Sequence, residues 1–211
     1  QSLKSFTIDL INPIINATIV SDNSRNKLAK ESDVITLSLT MDASTNKPDV
    51  TFKSGGNDIS GSLSYDPSGG IAKNWDVSYT VINTDTEGNV TISVDVEDEA
   101  GNTTTGHTSI TGDTVVVDMT APVISSIDFE FGTHLNITEG DASQNVTVTM
   151  TNNDASGQTL TIDVSGTDYS GVVDYSKVTI EIPRADIIDL SDNNKIGGLT
   201  YTVKANVSDP V

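Results

Sequence analysis

The sequence predicts an all-β fold: two tandem β-sandwich domains in an extended rod. Three observations carry this expectation. Apolar and polar residues alternate over short runs, as in Val34-Ile35-Thr36-Leu37-Ser38-Leu39-Thr40 and Val90-Thr91-Ile92-Ser93-Val94-Asp95-Val96; this is the period-two signal of a half-buried strand. The runs are built from Val, Ile, Leu and Thr, with aromatics at only 5%, a composition that fits pleated surfaces. A strand–Asp–Pro–strand joint also occurs twice. Thr7-Ile8-Asp9-Leu10-Ile11-Asn12-Pro13-Ile14-Ile15 aligns with Val116-Val117-Asp118-Met119-Thr120-Ala121-Pro122-Val123-Ile124, Asp on Asp and Pro on Pro, 109 residues apart. That period is near the usual size of one domain and reads as a tandem repeat.

Each joint combines an apolar β-branched run, an Asp and a Pro. Proline fixes its own φ and pushes the preceding residue towards extended geometry, so the linker is short and stiff. The joints divide the chain into a first domain at 9–118 and a second at 119–211. Residues 1–8 align with 110–117 and read as the end of a preceding repeat or an expression remnant. In the first repeat, strands are expected over 14–20, 34–40, 49–53, 59–65, 75–81, 90–96 and 108–117. Polar or turn-rich segments separate them at 21–33, 42–49, 54–58 and 66–70, with Pro48 and Gly69-Gly70 as punctuation. About seven short strands with no convincing helix is the pattern of an immunoglobulin-like sandwich.

The second repeat follows the first. Val146–Met150 matches 35–39, and residues 160–162 match 50–52. Gly166-Thr167-Asp168-Tyr169-Ser170-Gly171 matches Gly56-Asn57-Asp58-Ile59-Ser60-Gly61. Tyr175 matches Tyr65, residues 178–182 match 77–81, and 201–209 match 90–98. Counterparts of the first domain's last strand do not follow, so the second sandwich is expected to be truncated before that strand. An edge left open there invites pairing with a neighbouring chain.

The charge balance is strongly acidic, 11 Lys+Arg against 30 Asp+Glu for a net −19. Such a field repels nucleic acid and anionic membranes. No apolar run is long enough to span a bilayer, so direct membrane insertion is not expected. Cysteine is absent, which suits a cytosolic protein and equally a bacterial secreted one stapled by metal rather than disulfide.

Val117-Asp118-Met119-Thr120-Ala121-Pro122 resembles the V-D-x-T-A-P joint of bacterial Ig-like repeats. Asp98-Glu99-Ala100-Gly101-Asn102 resembles their D-x-A-G-N turn before the final strand. Such repeats form the extender region of large surface adhesins, including the RTX type linked to biofilms. The leading joint departs from the pattern, with Leu10-Ile11-Asn12 in place of x-T-A. The resemblance implies an extracellular location on a bacterial cell surface, neighbouring Ig-like repeats of the same chain as partners, and Ca²⁺ near the domain ends.

The residues support a Ca²⁺ reading independently. Calcium takes six to eight oxygens, largely carboxylates and carbonyls. In an Ig-like sandwich the leading joint and the loops after the second, fourth and sixth strands share one end. Asp9, the 42–49 loop and Asp98, Glu99 and Asn102 are therefore expected to converge. At the boundary with the second domain, Asp118 is expected near Glu31, Asp85 and Glu87, with Asp154 and Asp209 contributed by the second domain. Carboxylates gathered in this way repel one another unless a cation is bound. The plainer account is a solvated acidic surface in which Asp and Asn form turns.

Other motifs are weaker. Asn83-x-Asp85-x-Glu87-Gly88 resembles the start of an EF-hand loop, but it lacks the closing Glu and is flanked by strands. Asp189, Asp192 and Asn193 form a comparable acidic loop. His107 and His134 have no zinc spacing. No nucleophile elbow, phosphate loop or dinucleotide fingerprint occurs, so neither an enzyme nor a small-molecule substrate is expected. Trp75, Tyr65, Tyr79 and Tyr175 are expected to pack inside the sandwiches. The leading expectation is a structural spacer of a surface adhesin, stiffened by Ca²⁺, that projects a distal adhesive domain. The alternatives are an Ig-like module that binds a glycan or protein, or a non-catalytic spacer of a secreted enzyme.

Overall fold

A computed structural model describes residues 4–135, 142–190 and 202–209. The chain divides into two units, Gln1–Met119 and Thr120–Pro210. Among the described residues both are all-β sandwiches apart from one short helix.

The first unit is built from β1 (Ile15–Ser21), β2 (Leu28–Ala29), β3 (Val34–Thr45), β4 (Asp49–Ser54), β5 (Asn57–Asp58), β6 (Ser64–Asp66), β7 (Ala72–Thr80), β8 (Gly88–Glu97), β9 (Thr103–His107) and β10 (Val116–Val117). One sheet has the order β1-β3-β7-β6. The other runs β2-β10-β8-β4-β5, with β9 also on β8. The pairings are antiparallel except β10 on β2. Alternation puts Ile35, Leu37 and Leu39 of β3 and Trp75, Val77 and Tyr79 of β7 inward. Phe52 of β4 and Ile92 and Val94 of β8 meet them from the facing sheet, all in one buried cluster. Each such side chain contributes on the order of 1.5–3 kcal/mol by leaving water.

Several expected boundaries move. β3 continues to Thr45 because Met41 and Thr45 still turn inward, at 2% and 0% exposure. The expected strand at 59–65 shrinks to β6. The expected last strand at 108–117 is two pieces, β9 ahead of it and β10 at its end. Gly106, with a left-handed φ of 65°, sits where β9 shifts register on β8, and Gly112, with a φ of 92°, lies in the gap between β9 and β10. The polar segment at 21–33 contains β2, which receives β10 in parallel.

The second unit comprises β11 (Ile124–Phe129), β12 (Gln144–Met150), β13 (Thr159–Val164), β14 (Thr167–Val172), β15 (Lys177–Ile182), α1 (Arg184–Leu190) and β16 (Val203–Val207). Its sheets have the orders β11-β12-β15 and β14-β13-β16. Val146, Val148, Leu160, Ile162, Val178 and Ile180 form its core. The matched glycines share a packing reason. A Cβ on Gly61 would meet the Tyr79 ring at 2.5 Å, and one on Gly171 would meet Val178 at 2.7 Å.

Three expectations are corrected here. Asp189 lies in helix α1 rather than in an acidic loop; the Pro183 carbonyl accepts the NH groups of Asp186 and Ile187, and Ile187 is buried at 3% exposure. Asp192 and Asn193 lie outside the described residues. Tyr175 stands 69% exposed at a positive φ of 54° in the turn before β15, instead of packing inside. In the ladders Val203 lies opposite Val164 and Val207 opposite Leu160, whereas Val90 lies opposite Ser54 and Val94 opposite Val50. β16 is therefore displaced by two residues from the repeat alignment. An even shift keeps the inward face inward, but Asp209 no longer falls where Asp98 does.

Candidate functional site

At the leading end of the first unit the candidate residues come together. β3 and β8 deliver their ends there: Thr45 bridges Asp98, and the Asn46 NH donates to the Glu97 carbonyl at 2.8 Å. Asp98 is 3% exposed, and its carboxylate is engaged by its own turn. Its Oδ1 accepts the NH groups of Ala100 (2.8 Å) and Asn102 (2.9 Å), and its Oδ2 accepts Asn102 Nδ2 at 2.9 Å. The Asn102 side chain, followed by these backbone NH groups, outweighs the partial desolvation and holds Asp98 below the usual carboxylate range.

The leading joint docks onto this turn. Asn102 Nδ2 also donates to the Asp9 carbonyl at 3.3 Å, Thr104 Oγ1 donates to the Pro13 carbonyl at 2.7 Å, and Pro13 is buried. Asp9 Oδ1 accepts the Ile11 NH at 3.1 Å, while Asp42 Oδ1 accepts the Ile14 NH at 2.7 Å. Asp9 and Glu99 are exposed. Asp42 was named in the sequence only as the edge of a loop, and its grip on the joint had no local signal.

The opposite end of the first unit holds Glu31, Asp85, Glu87 and Asp118. β8 separates the two ends: Glu87 precedes its first residue and Asp98 follows its last. Asp118 follows β10, and its NH donates to the Ala29 carbonyl at 2.9 Å. Glu87 Oε1 accepts the Met119 NH at 2.9 Å. Asp85 turns the other way: its Oδ2 accepts the Tyr79 hydroxyl in a short contact and the Ile82 NH at 2.9 Å. Burial first, then the bond to Asp85, pushes the Tyr79 phenol well above its usual range. Asp85 is thus a staple between loop and core, and the EF-hand-like spacing does not aim Asp85 and Glu87 at one point. Glu31 is exposed on the turn before β3.

In the second unit Asp154 lies in the loop between β12 and β13, half-buried, with Asn152 Nδ2 donating to its Oδ2 in a short contact. Asn152 Oδ1 is buried and has no hydrogen-bond partner. Asp209 follows β16, half-buried. The joint enters at the same end, since the Thr151 NH donates to the Val123 carbonyl at 2.9 Å.

The donors at all these positions are carboxylate, amide and carbonyl oxygens, the hard set that Ca²⁺ takes. Among the described residues no three His, Asp or Glu side chains form a group able to hold a metal. Many of the carboxylates are engaged by backbone NH groups. The best fit to a cation is Asn152 beside Asp154, where a buried oxygen has unmet acceptor capacity.

The aromatic and histidine candidates are structural. Trp75 is 1% exposed and its Nε1 donates to Thr45 Oγ1 and the Ala72 carbonyl, both at 3.3 Å, so it offers no stacking platform. His107 Nε2 lies 2.9 Å from the Ser109 carbonyl, and His134 Nδ1 lies 3.0 Å from Thr133 Oγ1.

No protein-family profile matches this chain, and no curated protein matches it. Among solved structures, one reported for host cell surface retention of a 1.5-MDa bacterial ice-binding adhesin is 19% identical, with a TM-score of 0.38, over 92% of this chain. This chain spans 64% of that adhesin chain. A tandem pair of titin Ig domains is 10% identical with a TM-score of 0.29, covering 93% of this chain and 94% of the titin chain.

Proposed function

We propose that this chain is a pair of spacer modules of a bacterial cell-surface adhesin, stiffened by Ca²⁺ at the module ends. One observation supports the spacer reading above the others. In the first unit the chain enters at the Asp98 end, through Pro13, and leaves at the Glu87 end, through Asp118. The ten residues of β8 lie between, about 33 Å of extended strand. A module whose termini lie at opposite ends adds its length to any array it belongs to. A module with both termini at one end does not.

Asp9, Glu99 and Asn102, placed by Asp98, would hold an ion at the leading end. At the trailing end Glu31, Glu87 and Asp118 are not gathered into one group, so an ion there would have to draw them together, with Asp85 fixing the loop that carries Glu87. In the second unit Asp154 and Asp209 would be joined by Asn152. A bound Ca²⁺ supplies charge neutralisation and oxygen-rich cross-linking between loops. The chain's own residues supply the turns that bring those loops to one end.

The test is to display none, one or two copies of residues 9–118 between a bacterial surface anchor and a terminal tag. A spacer raises the tag by a constant increment per copy and adds no adherence of its own. Tag height that does not change with copy number, or adherence conferred by the displayed residues themselves, would overturn the reading.

A further inference from the structure

We infer that ionic strength sets the stability of the first unit, through two pairs of aspartates placed directly opposite each other across neighbouring strands. In the β4–β8 ladder Asp49 lies opposite Asp95, and in the β6–β7 ladder Asp66 lies opposite Asp76. All four are exposed. Side chains directly opposite in an antiparallel pair have Cβ atoms about 4.5–5.5 Å apart, and like charges there are destabilising.

In each pair one aspartate is held in place. Asp95 Oδ1 is held by the Gly106 NH at 2.6 Å, and Asp76 Oδ1 by the Ser38 hydroxyl at 2.6 Å. Glu97, two residues beyond Asp95 on the same face, adds a third negative charge. Of the nearby bases, Lys53 Nζ is 3.1 Å from Asp58, while Lys47 Nζ sits 3.9 Å over the ring of Tyr65, a phenol that feels the charge of Asp49, and so offsets that pair only in part. The second unit shows the compensated version of the same motif. Asp163 faces Asp168 on one side but Lys204 on the other.

Mobile salt screens such exposed pairs, because the screening length falls from about 30 Å at 0.01 M to about 3 Å at 1 M. The first unit is therefore firm in saline and loosened in dilute medium, independently of any bound divalent ion.

The test is thermal melting of the whole chain in EDTA, in about 10 mM and about 1 M NaCl. Trp75, the single tryptophan and a core residue of the first unit, reports that unit's transition. Wild type is compared with Asp49→Asn, Asp95→Asn and the double variant, and separately with Asp66→Asn. Asparagine keeps the shape and the acceptor oxygen. At low salt each single variant should melt about 1–4 °C higher than wild type. The double variant should gain no more than either single, because the repulsion is removed once. At high salt the differences should collapse. Melting that ignores NaCl, variants that match wild type at low salt, or additive shifts at both salts would overturn the inference.

Discussion

Asn102 Nδ2 donates to the carbonyl of Asp9 at 3.3 Å, across 93 residues of sequence. The same nitrogen holds the Asp98 carboxylate at 2.9 Å. One amide thus ties the turn after β8 to the joint that leads into β1.

Asn102→Ala should release that joint. The two lost hydrogen bonds cost about 1–2 kcal/mol together, since one is exposed and water replaces part of it. Urea unfolding followed through Trp75 measures the loss. Amide exchange at Ile11 and Ile14 should quicken beyond the global change. Unchanged exchange there would place the docking elsewhere.

Asp98→Asn bears on the turn itself. The carboxylate is held below its ordinary range, so its contribution is present above about pH 4 and fades as pH falls through the folded value. The amide would also set a donor against Asn102 Nδ2. The variant should melt below wild type at neutral pH, and the gap should narrow towards pH 3. A gap that ignores pH would remove the charge from the account.

Tyr79→Phe tests the staple at the other end. Losing the hydroxyl donated to Asp85 should cost about 1 kcal/mol at neutral pH. Because the folded phenol resists ionisation, wild type draws stability from it below about pH 10 and loses that stability as pH rises towards the elevated folded value. Wild type should therefore fall more steeply than Tyr79→Phe in alkali, measured as paired melting curves.

Gly55→Ala tests how tightly the Glu87 loop is held. Gly55 has φ of 55°, and a Cβ there would stand 2.3 Å from the Glu87 carbonyl oxygen. Strain and backbone displacement should cost about 1–3 kcal/mol. Exchange of the Met119 amide, held by Glu87, should rise with it.

The strands around Leu37 and Val94 were legible because one face of each is buried and the other wet, which writes period two into the sequence. The Asp–Pro joints stand out in the sequence because they repeat, but the strand expected ahead of the leading one does not form, since residues 4–14 carry no strand. Helix α1 was not, since seven residues are too few to display a helical period and Ile187 anchors it through a tertiary contact. The break between β9 and β10 hid in Gly112, whose left-handed φ is set by the surrounding fold. The candidate acids could be named from sequence, but their commitments could not. Asp98 is satisfied by its own turn, Asp85 by Tyr79, and Asp42 by the joint, and each of these depends on where strands end in space. The displaced register of β16 likewise follows from its partner β13 rather than from its own residues.

Stiffening by Ca²⁺ is tested most directly by calorimetric melting of the whole chain in EDTA, then with Ca²⁺ restored, using Mg²⁺ as the comparison. An ion that binds only the folded state stabilises by mass action, about 2.7 kcal/mol at a hundredfold excess over its dissociation constant. For units of this size that is an upward shift on the order of 10 °C. Ca²⁺ should produce such a shift and Mg²⁺ a smaller one; Asp154→Ala should reduce the shift, while Asp128→Ala, at an exposed position of β11 outside every candidate site, should not. Superimposable melts in EDTA and Ca²⁺, with no heat on titration, would contradict it.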